Sequence, residues 1–141
     1  MATPYEDIFA VFTGKISDFN FTDLDVGDLE AILLGYLKSS IVRFKNCKTD
    51  LSDRDNVAAT FNADLTDLEI EILATLMVVE WLNPQIQTTE IIKQSLSMRD
   101  ARMYSQAAHL REMMELRNKS KTEAQQLMAL YSYAGDLSDL P

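Results

Sequence analysis

The sequence has one cysteine and one histidine. A single cysteine excludes an internal disulfide framework and a four-cysteine zinc site. A single histidine excludes any two-histidine metal motif. Four glycines and three prolines are too few for a loop-rich all-β sandwich. Basic residues are in deficit: 13 Lys and Arg face 22 Asp and Glu, a formal net charge of −9. That balance argues against a generic nucleic-acid binder, which carries a basic face. Long apolar runs are also missing. The longest, Ile72 to Val79, is interrupted by Thr75 and bounded by Glu71 and Glu80, far short of the ~18 apolar residues of a membrane span. The opening Met-Ala-Thr-Pro-Tyr-Glu-Asp lacks the basic region of a signal peptide. The lone Cys47 fits a reducing compartment.

What is present is a chain of 141 residues, 47% hydrophobic, enough for one packed domain. Its charge is uneven. Residues 1–82 hold 15 acids and six bases, a net of −9, residues 83–135 hold five acids and seven bases, a net of +2, and residues 136–141 add −2. Either the two parts meet different surroundings, or copies pack acidic side to basic side. The plainer alternative is that the acids are helix N-terminal charges.

The periodicity is helical. Thr3-Pro4-Tyr5-Glu6 has the form of a capping box with proline at the first helical position, followed by a stripe of Ile8, Phe9, Phe12 and Ile16. Residues 17–25, with Phe19, Phe21 and Leu24, read as a connector folded back on the core. Asp25 can cap a second helix, in which Leu29, Ile32, Leu33, Tyr36, Leu37, Ile41 and Phe44 recur at spacings of three and four. Gly35 in its middle costs ~1 kcal/mol against alanine, which close approach of another helix would explain. Residues 48–64 read as a polar loop with one helical turn around Ser52 to Thr60. Thr66-Asp67-Leu68-Glu69 is a second capping box. It opens a helix apolar on nearly every side, from Leu68 to Leu82, that stops at Asn83-Pro84. Thr88 or Thr89 can cap a short helix with Ile91, Ile92 and Leu96. A last, long helix starts after Ser97 to Asp100 and runs to about Tyr133, with Met103, Ala107, Leu110 and Met114 near heptad spacing. Its polar stretch Arg117 to Glu123 is a belt or a break. The expected architecture is an all-α small helical bundle over residues 1–134, with an extended C-terminal arm over 135–141.

Candidates for chemistry fail their templates. Asp18, Asn20 and Thr22 imitate a calcium loop, but Asp23 stands where glycine is needed and Leu29 where glutamate is needed. Asp50, Asp53 and Asp55 form an acidic loop, better suited to capping its own turns than to binding metal. His109 reads as a surface or interface histidine. Cys47, beside Lys45 and Lys48, could have a lowered pKa, but a passive thiol is the favoured reading. Glu71 and Glu80, nine residues apart, fall on roughly opposite sides of a helix. The sequence has no Glu-x-x-His pair and no glycine-rich phosphate loop. We therefore expect no enzymatic site, no metal and no cofactor. The apolar helix, the long C-terminal helix with five of the seven methionines in this half of the chain, the charge asymmetry and the tail point instead to assembly, with excess apolar surface buried between copies. Trp81, Met77, Leu110, Met114 and Tyr131 are the expected core or subunit-packing residues.

Several stretches carry a likeness: Tyr5-Glu-Asp-Ile-Phe9 with Lys15-Ile-Ser-Asp18, Ile32-Leu-Leu-Gly-Tyr-Leu-Lys-Ser-Ser40 with Arg43-Phe44, Asp50-Leu-Ser-Asp-Arg-Asp55, and Asp64-Leu-Thr-Asp67 through Ile72-Leu-Ala-Thr-Leu-Met-Val-Val-Glu-Trp-Leu82 and Pro84. Tyr104-Ser-Gln-Ala107, His109-Leu110 and Tyr131-Ser-Tyr133 continue it. Over nearly its whole length the chain resembles the small helical neck proteins of tailed bacteriophages. These are packing motifs, not catalytic signatures. The resemblance implies a structural head–tail connector made in the host cytoplasm and placed in the virion neck. Its subunits form a ring, typically twelvefold, that joins the portal of the DNA-filled head to the tail or a second neck protein. DNA passes through the channel without sequence-specific binding, and no membrane is involved. A terminal arm reaching a neighbouring protein would here be Gly135, Asp136, Leu137, Ser138, Asp139, Leu140 and Pro141. Two other classes stand beside this one: a small intracellular helical binding or regulatory module acting through its C-terminal helix, and, more distantly, an enzyme using a metal in the acidic loop.

Overall fold

In the computed structural model, which describes residues 2–16, 26–96 and 101–138, the chain runs β1 (Thr3–Pro4), α1 (Tyr5–Lys15), α2 (Val26–Arg43), β2 (Arg54–Asp55), β3 (Thr60–Phe61), α3 (Asp67–Ser95) and α4 (Ala101–Ser138). It is an all-α bundle with one very small sheet. The connector with Phe19, Phe21 and Leu24, the calcium-like Asp18 to Thr22, and the Asp25 cap lie outside the described residues.

Helix α3 organises the bundle. The Thr66 hydroxyl accepts from the Glu69 amide and the Glu69 carboxylate accepts from the Thr66 amide, the capping box that the sequence contains. Residues 72–79, Trp81 and Leu82 are all buried, because α1, α2 and α4 each pack on α3. One chain therefore covers this all-apolar helix by itself, and the surface expected to await other copies is already buried. Trp81, Met77, Leu110 and Tyr131 are buried in that core and Met114 packs against it.

The helix does not stop at Asn83-Pro84. It continues to Ser95, and no separate short helix starts at Thr88 or Thr89. Pro84 has no N–H for the Glu80 carbonyl. The side chains around it make local bonds that do not reach that carbonyl: Gln85 Nε2 donates to the Trp81 carbonyl at 3.2 Å, and Thr88 Oγ1 donates to the Pro84 carbonyl at 2.9 Å. Continuing the helix also buries Ile86 and Thr89, a gain that outweighs the local preference of a residue before proline.

The first capping box is not formed. Pro4 is the N-cap of α1 and makes no side-chain cap. Thr3 instead bonds across the chain, donating to the Ala63 carbonyl at 3.0 Å and accepting from the Leu65 amide at 2.9 Å. The reason is the strand before α1. β1 pairs antiparallel with β3, which also pairs with β2. The helical turn expected around Ser52 to Thr60 is thus a β-hairpin. Asp55 Oδ1 accepts from the Val57 and Ala58 amides, an Asx-type turn that competes with helix. Ala59 takes the left-handed conformation, φ 57°. Phe61 is fully buried, edge-on to Tyr5 at 4.9 Å.

Two further expectations change. Among the described residues nothing outside its own stretch of helix lies within 4 Å of where a Gly35 Cβ would stand, so no described helix approaches it closely. Gly35→Ala is expected to raise the unfolding free energy by about 0.5–1 kcal/mol in urea denaturation. A loss of stability would mean that the space is filled.

Helix α4 is continuous through Arg117 to Glu123, so that stretch is a polar belt. Ser120 is buried within it, and Glu123 lies 3.8 Å from Lys15. The helix also runs through Gly135 to Ser138, where an extended arm was expected from Gly135 onward. Extending an existing helix needs no new nucleus, and one glycine costs only ~1 kcal/mol. Asp139, Leu140 and Pro141 lie outside the described residues.

Candidate functional site

The most unusual group in the molecule is a buried carboxylate. Glu69 is 1% exposed. Its Oε1 caps α3. Its Oε2 accepts from Thr49 Oγ1 at 2.7 Å, Tyr131 Oη at 2.9 Å and Cys47 Sγ at 3.3 Å. Tyr131 Oη in turn accepts from the Lys48 amide at 2.9 Å. Its ring meets Phe44 edge-on at 5.3 Å, with Lys48 Nζ 5.8 Å from the ring centroid. Asn46 Nδ2 donates to the Met128 carbonyl at 3.0 Å and also to Ser132 Oγ. One carboxylate thus joins the start of α3, the segment after α2 and the last third of α4. Burial alone would raise the Glu69 carboxyl. The Thr66 amide and the Thr49, Tyr131 and Cys47 side chains outweigh it and hold the pKa below the usual value. Sequence reading saw Glu69 only as a capping residue. The available signal is only that a capping-box glutamate lies one turn before a run of core residues; once buried there, its carboxylate needs donors.

Cys47 is held by the same geometry. Burial first, and then the Glu69 carboxylate, push its thiol up to about 11, which fits a passive thiol and not one activated by Lys45 and Lys48. Its thiol donates to the Glu69 carboxylate, which the protonated form alone can do. Its reaction with iodoacetamide at pH 7.5 is expected to be about a hundredfold slower than that of free cysteine, because the thiolate fraction falls with each unit of pKa. A rate equal to that of free cysteine, read by mass spectrometry, would remove Cys47 from the network.

The remaining sequence candidates are dispersed. Asp50 Oδ1 accepts from Ser52 N and Oγ, Asp53 Oδ1 accepts from Asn62 Nδ2, and Asp55 caps its own turn. The acidic loop is a set of turn caps. Among the described residues no group of three His, Cys, Asp or Glu side chains is placed to hold a metal. Glu71 pairs with Lys15 of α1, and Glu80 pairs with Arg43 of α2 at 3.3 Å, so the two carboxylates are separated as their spacing indicates. His109 is exposed. No described helix is long and apolar enough to cross a membrane.

The surface has three features with more content. A groove lies where the end of α2 meets α3 and α4. Arg43, Lys45 and Lys121 stand at it, with Leu76, Val79 and Met128 among its apolar lining. The β2–β3 turn holds Val57 out in solvent, 98% exposed. At the far end of the α3–α4 hairpin, Ile91 (67%), Ile92 and Tyr104 (67%) are also exposed. None of the three was singled out as a surface by sequence reading, since periodicity marks which residues are apolar but not which are left uncovered. Comparison with family models, curated proteins and solved structures finds no match to this chain.

Proposed function

We propose that this chain is a structural subunit of a head–tail connector of the tailed-phage kind. Copies close into a ring that joins a portal to a tail or second neck protein, and DNA passes through its channel. The observation that carries the reading is apolar surface left over after the core is filled. Residues 72–79 are buried within one chain, yet Val57, Ile91, Ile92 and Tyr104 remain in solvent. A cluster of exposed apolar groups supports a contact surface where a lone one does not, and Ile91, Ile92 and Tyr104 are exposed on α3 and α4. The charge distribution supports the same reading. A first part with net −9 and a following part with net +2 can meet across a subunit boundary, and an acidic lumen repels phosphate so that DNA slides without sticking. The chain then works through surfaces and not through a reaction, and needs no cofactor.

The test is mass. Native mass spectrometry and light scattering on the chain alone, and with a purified portal ring, are expected to give a closed oligomer. A chain that stays monomeric with the portal present overturns the reading. A second reading, a helical binding module acting through α4, is favoured by the exposure of Leu130 and Tyr133 on that helix. It predicts a one-to-one complex with a partner and no self-assembly.

A further inference from the structure

Val57 is an apolar side chain held in water by a fixed backbone. The turn beneath it is tied at several points. Asp55 Oδ1 accepts from the Val57 and Ala58 amides. The carbonyl of Ala59 accepts from the Tyr5 amide at 2.9 Å. Asn56 Oδ1 accepts from Tyr5 Oη at 2.8 Å. The turn therefore does not need to be ordered at the moment of contact, which removes much of the entropy cost of docking a loop. Asp55, whose Oδ1 takes the Val57 and Ala58 amides, stands at its base, and Asp53 lies on the same hairpin, its Oδ1 accepting from Asn62 Nδ2. The knob is apolar at its tip and acidic at its shoulders.

The groove between α2, α3 and α4 has the inverse chemistry. Leu76, Val79 and Met128 give it apolar lining, and Arg43, Lys45 and Lys121 give it positive charge. Its one carboxylate, Glu80, is engaged by Arg43. Among the described residues, Lys45 and Lys121 have no carboxylate within ion-pair distance. In a chain of net charge −9, two unpaired lysines beside an apolar floor form a local surplus that an acidic partner would neutralise.

We propose that the Val57 turn of one copy seats in this groove of the next copy. The proposal rests on the assembly reading and names its interface. Knob and groove have no residue in common, so the contact can be made head-to-tail, and repeated from copy to copy it closes into a ring or runs on as a filament. A reciprocal two-fold dimer, each knob in the other copy's groove, would show as a dimer mass and would overturn the ring. The valine supplies the dry centre of the contact. The Asp and Lys side chains at its margin steer encounter and fix the register, so association is expected to slow as salt rises.

The test uses the full chain and its assembly measured by light scattering and native mass spectrometry. Val57→Asp and, separately, Lys121→Glu are expected to weaken assembly at least about tenfold, the effect of losing one well-placed interface contact. Circular dichroism should be unchanged, since Val57 is 98% exposed. Val57→Lys should also weaken assembly, and combining it with Lys121→Glu should restore it. In a Cys47→Ser background, a mixture of Val57→Cys chains and Gln125→Cys chains should form the mixed disulfide on mild oxidation, Gln125 being part of the groove lining. If the natural chain assembles but none of these variants changes assembly and no mixed disulfide forms, this interface is wrong and the assembly reading stands. If the natural chain does not assemble even with a portal present, both fall.

Discussion

Replacing Glu69 by alanine is expected to lower the unfolding free energy by about 3–5 kcal/mol, the usual cost of removing one partner from a buried charged cluster. The substitution does more than delete a carboxylate. It leaves the Tyr131 hydroxyl, the Thr49 hydroxyl, the Cys47 thiol and the Thr66 amide without the acceptor they share. Each buried donor so orphaned costs about 1–3 kcal/mol unless water reaches it. It also breaks the link by which Glu69 and Tyr131 hold the segment after α2, the start of α3 and the last third of α4 together. Since small domains are stable by about 5–15 kcal/mol in total, a large share of the native state depends on this residue. Urea denaturation measures it directly. Glu69→Gln, which keeps one carbonyl oxygen, should cost less than alanine, and Tyr131→Phe should cost about 1.5–3 kcal/mol for one hydrogen bond to a charged acceptor. A loss below about 1 kcal/mol for Glu69→Ala would mean that water replaces the carboxylate, and that the cluster is not closed.

The same cluster sets a pH window. The folded state holds the Glu69 carboxyl below its ordinary value of 4.5. Its contribution is therefore complete above that value and is lost as pH falls through the depressed pKa. Cys47 works at the other end. Its folded pKa is raised from 9.0 to about 11, so its contribution is complete below 9.0 and is lost as pH climbs toward 11. Tyr131 is raised in the same direction, by burial and by the neighbouring Glu69. Stability should be flat across neutral pH and fall on both sides. Glu69→Gln should flatten the acid limb, and if that limb is unchanged, other carboxylates are responsible for it.

Sequence pattern carried the helices because their signals are local. The α2 stripe and the Thr66 capping box each lie within a few turns of chain. The failures involve distant partners. Thr3 was read as a cap because Glu6 stands three residues on, but its hydroxyl bonds to residues 63 and 65. The segment 52–60 lacks a clear period because it is a short hairpin that depends on β1 from the other end of the sheet. Pro84 has the local form of a stop, yet α3 continues past it and buries Ile86 and Thr89. The site features were less legible still. Lys121 reaches the groove only because α4 lies on α3, and Glu69 becomes a node only because Tyr131, 62 residues away, comes back to meet it.

Trp81→Ala is expected to cost about 3–5 kcal/mol, the range for truncating a buried large aromatic. Trp81 is 6% exposed in the single chain and meets Phe12 of α1 edge-on, with ring centroids 6.2 Å apart. Removing the indole opens a cavity where α1 meets α3, and the rigid α3 backbone around it can close only part of that space. Phe12→Ala should therefore be less than additive with Trp81→Ala, because the second truncation removes a contact already lost. The dependence on protein concentration is the sharper readout. If Trp81 is covered by its own chain, the loss is the same at low and high concentration. If a neighbouring copy covered it, stability would rise with concentration and the substitution would remove that rise. A constant loss means that the subunit completes its core without a partner; under the ring proposed above, the folded subunit is then the unit that assembles. A ring would then be built by joining finished bundles through groups such as Val57 and Tyr104, which the core leaves outside, and not by completing an unfinished core between copies.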